Sequence, residues 1–383
     1  MRPTSLPRPR RAAQTLIHLL ILTLIGSVSP FLAAAAEPVE TKIWGRSSLL
    51  IAYDTADLRA GLDFGSYVTA DGQDRVNFNP RDTRLGLSAT QTKGAWTYKS
   101  VFEMDFYGDN ATNNLLPRLR LGFVDVSHSS GFALRAGQDW IPIAQQNPGT
   151  LDFGILAWGG NLWWRVPQVT VRQKTGELEF LAGMMKHRNS NTQEAEEQMP
   201  WFLGRLAWSG LRDGKGLLAI GVGGRSNSLT DTVDDAPFNT DYNAWLVCGE
   251  WKLPLGPRLT LNGEAWTGQG IGREFVRYDL DYNRQVRRSI NAQGGFVSAA
   301  VDLGRGLQAN LGGGIDDPDD DDLAGATTAI FTQNTVMFGN LKWQATEHFG
   351  AGFEVMNFTT ETGPADGDEL DGQRFTMGTW FVF

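Results

Sequence analysis

Residues 81–107 read RDTRLGLSATQTKGAWTYKSVFEMDFY. Two runs of about ten residues, 81–91 and 96–107, flank the short connection Thr92–Ala95. Each run alternates. Leu85 and Leu87 share one face of the first, with Arg84 and Ser88 opposite; Phe102, Met104 and Phe106 share one face of the second, with Glu103 and Asp105 opposite. A period of two is the signature of a strand with two unlike faces. About 9–11 residues is what a tilted strand needs to cross a bilayer.

The same unit repeats outward in both directions. Strands are expected at 42–53, 81–91, 96–107, 117–127, 132–141, 167–174, 177–187, 199–209, 217–226, 241–252, 258–269, 290–302, 307–315, 332–345, 348–360 and 372–383, an even sixteen. Short connections (92–95, 128–131, 175–176, 210–216, 253–257, 303–306, 346–347) alternate with long ones that include 54–80, 142–166, 227–240, 270–289 and 316–331. That asymmetry belongs to outer-membrane barrels, with short periplasmic turns and longer external loops. The expected fold is therefore all-β, a 16-stranded antiparallel transmembrane β-barrel. A soluble sandwich would not alternate so regularly, and a β-helix would show a fixed repeat. Residues 58–68 also carry strand character, but a strand there would make the number odd, so they are assigned to the first external loop.

The first 36 residues read as a signal peptide: Arg2, Arg8, Arg10 and Arg11, an apolar stretch Leu16–Val28, and a small-residue cleavage site at Ala34-Ala35-Ala36. The barrel then occupies 37–383. Cleavage removes four Arg and no acid. It leaves 30 basic against 43 acidic residues, a net charge of about −13. That speaks against nucleic-acid binding, which needs a basic face. The lone Cys248 excludes an internal disulfide. The last residues, Gly378-Thr379-Trp380-Phe381-Val382-Phe383, place Phe375, Met377, Phe381 and Phe383 on one face. They resemble the signal read by the barrel-assembly machinery of Gram-negative bacteria, which points to the outer membrane, with its lipid and lipopolysaccharide, as the location.

In a membrane barrel the apolar face meets lipid and the polar face meets the lumen, because a charge at the lipid midplane costs about 2–4 kcal/mol. By this rule Leu119, Leu121 and Phe123 face out, so Arg118 and Arg120 face in. Phe132 and Leu134 face out, so Arg135 and Asp139 face in; Val169 and Val171 face out, so Arg172 faces in. In strand ten, Cys248 should point inward. The lumen wall thus carries Arg84, Arg118, Arg120, Arg135 and Arg172 against Glu103 and Asp105, an anion path. Residues 142–166, with Trp158, Trp163, Trp164 and Arg165, are too apolar for an exposed loop and should fold into the barrel as a constriction. A narrow neck focuses the field of nearby charges.

From Asn79 to Gln173 the chain resembles the DcaP-like outer-membrane porins, through Arg81-Asp82-Thr83-Arg84-Leu85-Gly86-Leu87, Phe102-Glu103-Met104-Asp105-Phe106-Tyr107-Gly108, Leu119-Arg120-Leu121-Gly122-Phe123 and Ala136-Gly137-Gln138-Asp139-Trp140. The resemblance implies a homotrimeric porin for passive uptake of small organic anions, dicarboxylates in particular, with Arg84, Arg120 and Arg135 carrying that selectivity. Two features depart from the family. Strand one begins soon after the cleavage site, without a helical extension, and Asp139 puts an acid into the Gly-Gln-x-Trp motif.

Other signals are weaker. The run 316–322, Asp-Asp-Pro-Asp-Asp-Asp-Asp, could bind Ca²⁺ or bridge lipopolysaccharide. It lacks the ligand spacing of a calcium loop and reads more plainly as a solvated acidic loop. No other cofactor is indicated. A barrel enzyme would need a hydroxyl nucleophile with a base in reach, and no such set is readable. A carbohydrate porin is the nearer alternative, with Trp158, Trp163 and Trp164 as sugar platforms.

Overall fold

The first and last strands pair with each other. Arg46 lies opposite Val382 and Asp54 opposite Arg374 in an unbroken antiparallel register. Gly45 and Phe383 exchange both backbone hydrogen bonds, at 2.9 and 3.0 Å. The sheet therefore has no edge and is a closed barrel. The computed structural model describes residues 38–383 apart from 59–62, 70–71, 73, 109–114, 188–198, 213, 234–235, 277–279, 327–330 and 364–366. The expected signal peptide lies outside the described residues.

Sixteen spans make up the wall: β1 (Glu40–Asp54), β2 (in two pieces, Arg75–Asn79 and Arg84–Lys93), β3 (Trp96–Asp105), β4 (Arg118–His128), β5 (Phe132–Trp140), β6 (Arg165–Thr175), β7 (Leu178–Met185), β8 (Trp201–Trp208), β9 (Leu217–Val233), β10 (Ala236–Pro254), β11 (Leu259–Gln269), β12 (Asn291–Gly304), β13 (Leu307–Pro318), β14 (Gln333–Gln344), β15 (Phe349–Glu361) and β16 (Glu369–Val382). Each pairs with its sequence neighbour, and all pairs are antiparallel. The break in β2 falls at Pro80–Thr83. One piece pairs with Leu50–Asp54 and the other with Glu40–Arg46 of the same strand β1. Strand two thus begins at Arg75 rather than Arg81, and the number stays even. The expected loop 227–240 is instead an extension of the β9–β10 ladder, which runs until Val233 faces Ala236. Asp316–Pro318 likewise belong to β13 rather than to a loop.

The outer face is apolar along the length of the wall. Leu85, Leu87, Phe102, Leu134, Val169, Val171, Met377 and Phe381 are all exposed on it. Cys248 is buried on the inner face, as the alternation in strand ten requires. The inner face departs from the simple rule. Trp201, Leu246, Trp266, Phe296, Phe338, Met356 and Phe358 also point inward and are buried. They meet loop residues that fold into the barrel. Leu58 and Val68 pack with Phe338 and Phe358, while Phe64, Trp158, Leu162 and Phe275 join Trp201, Leu246 and Trp266. The long-connection end of the barrel therefore holds an apolar core of its own. The described part of 58–68 lies in that core with no strand structure, not in an external loop. Burying each such side chain contributes about 1.5–3 kcal/mol.

Closure at Phe383 is open to a direct test. Deleting this residue removes both hydrogen bonds to Gly45 and the ring over the Gly45 backbone, 2.3 Å from where a Cβ would stand. The deletion is expected to lose most of the heat-modifiable folded form on gels, while Phe383→Leu, which keeps the backbone, loses far less. Equal yields of deletion and wild type would count against this seam.

Candidate functional site

The loop between β5 and β6 runs across the interior, and the wall holds it by its backbone. Carboxylates from three strands accept its N–H groups. Glu250 on β10 takes Gln145 at 2.7 Å, Glu264 on β11 takes Leu162 at 2.5 Å, and Glu354 on β15 takes Leu151 and Asp152 at 2.6 and 2.7 Å. Donors from β14 and β11 reach its carbonyls. Asn340 bonds Gly149, Lys342 bonds Thr150, Asn334 bonds Trp158 and Trp266 bonds Gly160. Arg374 adds an ion pair to Asp152 at 2.8 Å. Glycine permits the close seating: a Cβ on Gly160, whose φ is +87°, would sit 2.2 Å from the Gly295 carbonyl oxygen, and one on Gly314 would sit 2.2 Å from that of Gly159. The expected inward-folded loop is thus present, anchored on β10–β16 and facing β1–β7 across the lumen.

On that opposite wall stand the arginines. Arg118 makes two bonds to Asp105, at 3.0 and 2.7 Å. Arg120 bridges Glu103 at 2.6 Å and Asp105 at 2.8 Å. Arg84 and Arg46 share Asp82. Arg135 reaches Asp125 at 2.8 Å and Asp139 at 2.5 Å, and Arg172 reaches the same Asp125 at 2.9 Å. The five sequence-assigned arginines are therefore brought to one wall, and Arg46 joins them. Side-chain exposure separates their roles. Arg46, Arg84, Arg118, Arg135 and Arg172 are 25–31% exposed, whereas Arg120 is 3% exposed. Arg120 holds the wall together and does not face the lumen water, which corrects its expected place in a solute path.

The acids were more numerous than Glu103 and Asp105. Asp82, on the face of Arg84 by the same alternation, lies in the break of β2 and takes both Arg84 and Arg46. Asp125 was masked by a change of parity in β4. Met104 of β3 faces Leu119 while Glu103 faces Leu121, so Arg120 is an extra residue in the ladder. Beyond this bulge the faces swap. Phe123 points inward rather than outward, beneath the Arg135 guanidinium at 4.2 Å from its ring centre, and Asp125 follows it into the lumen. Arg46, Arg84, Arg118, Arg120, Arg135 and Arg172 thus meet Asp82, Glu103, Asp105, Asp125 and Asp139, while Arg81 in the break of β2 pairs with Asp63 and Asp54 of β1 pairs with Arg374. A further guanidinium is that of Arg165, the first residue of β6. Its guanidinium lies 4.6 Å from the ring centre of Trp140 and 5.5 Å from that of Trp163. Among the described residues no carboxylate lies within ion-pair distance of it.

Between β5–β7 and the loop lies a cavity of about 400 Å³, lined by Arg135, Asp139, Thr170, Arg172 and Glu179 from the wall and by Gln145 from the loop. On the loop's other flank a smaller one, about 80 Å³, lies between Arg46, Asp82 and Lys342. Two of the three tryptophans expected as sugar platforms do not line open water, Trp158 at 4% and Trp163 at 2% exposed, while Trp164 is half-buried. Trp163 instead stacks on Trp164 at 5.1 Å and backs Arg165. In the acidic run, Asp319 caps the short helix Asp320–Leu323, and Asp322 accepts bonds from Asn291 and Arg288. Among the described residues no three carboxylate, imidazole or thiol groups converge as a metal set would. His128 and Ser130 touch at 2.9 Å in an exposed short turn, where the His128 ring also accepts the Ser130 N–H.

No protein-family model matches the chain, and no curated protein matches it. Solved structures do. The chain is similar to the outer membrane channel DcaP of Acinetobacter baumannii, with a TM-score of 0.76 and 19% identity over 93% of this chain and 100% of that one. It is also similar to an anion-selective porin from Comamonas acidovorans (TM-score 0.63, 13% identity, 90% and 100% covered). A third likeness is to Salmonella typhi OmpF (TM-score 0.60, 11% identity, 90% and 97% covered). At these identities the likeness establishes the porin fold, and it agrees with the resemblance carried by Asn79–Gln173.

Proposed function

We propose that the protein is an outer-membrane channel for passive diffusion of small hydrophilic solutes, with a preference for small organic anions such as dicarboxylates. One observation carries the reading. Inside a closed barrel with an apolar outer belt, water-facing arginines line the gap left by an anchored loop, and Arg165 stands there with no carboxylate of its own. A membrane wall needs no such interior. A path that strips part of a solute's hydration does, because fixed guanidinium groups replace the lost water around a carboxylate. The net acidity of the chain does not oppose this, since exposed charges beyond a Debye length of about 8 Å are screened. In this reading the chain works as a homotrimer set in lipid and lipopolysaccharide, is inserted by the barrel-assembly machinery after its signal peptide is cleaved, and is not an enzyme.

Planar-bilayer recording of the purified protein tests this. Stepwise conductance with a reversal potential on the anion side, and succinate flux above glucose flux in proteoliposomes, are expected. A closed barrel without steps would overturn the channel reading. Glucose flux above succinate flux would favour the carbohydrate-porin alternative, which the burial of Trp158 and Trp163 disfavours.

A further inference from the structure

We propose that the cavity between β5–β7 and the loop is a station for zwitterionic solutes of the α-amino-acid class. The inference rests on the channel reading above and concerns what passes besides anions. The cavity presents both signs of charge. Two guanidinium groups, Arg135 and Arg172, stand among three carboxylates, Asp125, Asp139 and Glu179. With Lys174 opposite Glu179 the local sum is zero, unlike the positive excess around Arg118 and Arg165. A simple anion gains less here than at the neck.

Two of these groups have unused capacity. Arg172 uses one nitrogen, on an Asp125 oxygen that Arg135 also occupies, and its side chain is partly exposed to the cavity. Among the described residues Glu179 has only a 3.7 Å contact with Arg205, whose shorter bond, 2.8 Å, goes to Glu250. The register places Lys174 opposite Glu179 and Arg172 opposite Leu181, so Arg172 and Glu179 are diagonal neighbours on the inner face of β6 and β7. Diagonal neighbours stand about 7–8 Å apart, and here the two side chains pair with others, Arg172 with Asp125 and Glu179 with Arg205, rather than with each other. A small molecule carrying a carboxylate and an ammonium a few bonds apart can meet both, with its carboxylate on Arg172 and its ammonium on Glu179. Thr170 and Gln145 supply neutral hydrogen-bonding groups to the same space.

The probes are L-alanine, the neutral lactamide of similar size, and succinate, measured as radiolabel uptake into proteoliposomes. Wild-type protein should pass alanine several-fold faster than lactamide. Glu179→Gln should bring alanine down to the lactamide rate, Glu179→Asp should restore part of the difference, and succinate uptake should not fall in either variant. Glu179 is partly exposed, so these changes leave the barrel foldable, and heat-modifiability on gels checks that. Alanine no faster than lactamide in wild type, or unchanged in Glu179→Gln, overturns the zwitterion station while succinate flux leaves the channel reading standing. Loss of succinate flux in wild type would sink the channel reading itself.

Discussion

Replacing Arg118 and Arg165 together by alanine is expected to lower the anion-to-cation permeability ratio about tenfold. A unit charge about 5 Å from a permeating ion contributes about 0.8 kcal/mol even at the dielectric of water. Two such charges favour an anion by about 1.6 kcal/mol and disfavour a cation by as much, about 3.2 kcal/mol between them; salt in the lumen screens roughly half of this, and 1.4 kcal/mol is a factor of ten. Both side chains lie at the long-connection end of the neck, and neither removal strands a buried acid, because Asp105 keeps Arg120. The reversal potential under a salt gradient reads the ratio directly. A double mutant that keeps wild-type selectivity would assign the arginines to wall stiffening alone. Arg120→Ala is the contrasting case: it leaves Glu103 and Asp105 without their shared cation and should reduce assembled protein rather than shift the reversal potential.

Glu354→Ala should free the loop. It takes the acceptor from the N–H groups of Leu151 and Asp152 and from the Asn340 amide. Each buried donor left without a partner costs about 1–3 kcal/mol. The midpoint of heat-modifiability should fall by many degrees, and single-channel records should show larger, noisier open levels as residues 142–166 leave the lumen for part of the time. Glu354→Gln keeps one carbonyl oxygen and should lie between. Quiet, wild-type-sized steps in Glu354→Ala with an unchanged midpoint would mean that Asn340, Lys342 and Arg374 hold the loop unaided.

The strands were legible because lipid imposes one strict demand, an apolar outer face, and Leu85, Phe102, Leu134 and Val171 meet it at every second residue. The interior answers to several demands at once and was read less well. Phe338 and Phe358 obey the core built by the folded loops, so the polar-inside rule failed there. Arg84, Arg118, Arg135 and Arg172 were found because each sits on a strand of unbroken parity at its own position. Asp125 was missed because one extra residue at Arg120 reversed the faces beyond it. The burial of Arg120 depends on three-dimensional partners that period-two arithmetic does not contain, whereas Asp82 shares the inward parity of Arg84 and was legible by the same alternation. Glu264 and Glu354 escaped notice because what they hold is loop backbone, and backbone leaves no mark in the side-chain pattern; Arg374 escaped because its partners, Asp54 and Asp152, are far from it in sequence.

Arg374 belongs to the last strand made, yet its guanidinium joins two segments made long before. It pairs with Asp54 of β1 at 2.6 and 2.8 Å and with Asp152 of the loop at 2.8 Å, and it is 1% exposed. Removing one partner from such a dry network costs about 3–5 kcal/mol. In a ring still lacking its loop, lumen water would take the place of Asp152, and that dry pair would not exist. Seating of residues 142–166 and closure of β16 onto β1 therefore reinforce each other, since each brings to the Arg374 guanidinium a carboxylate that the other cannot supply.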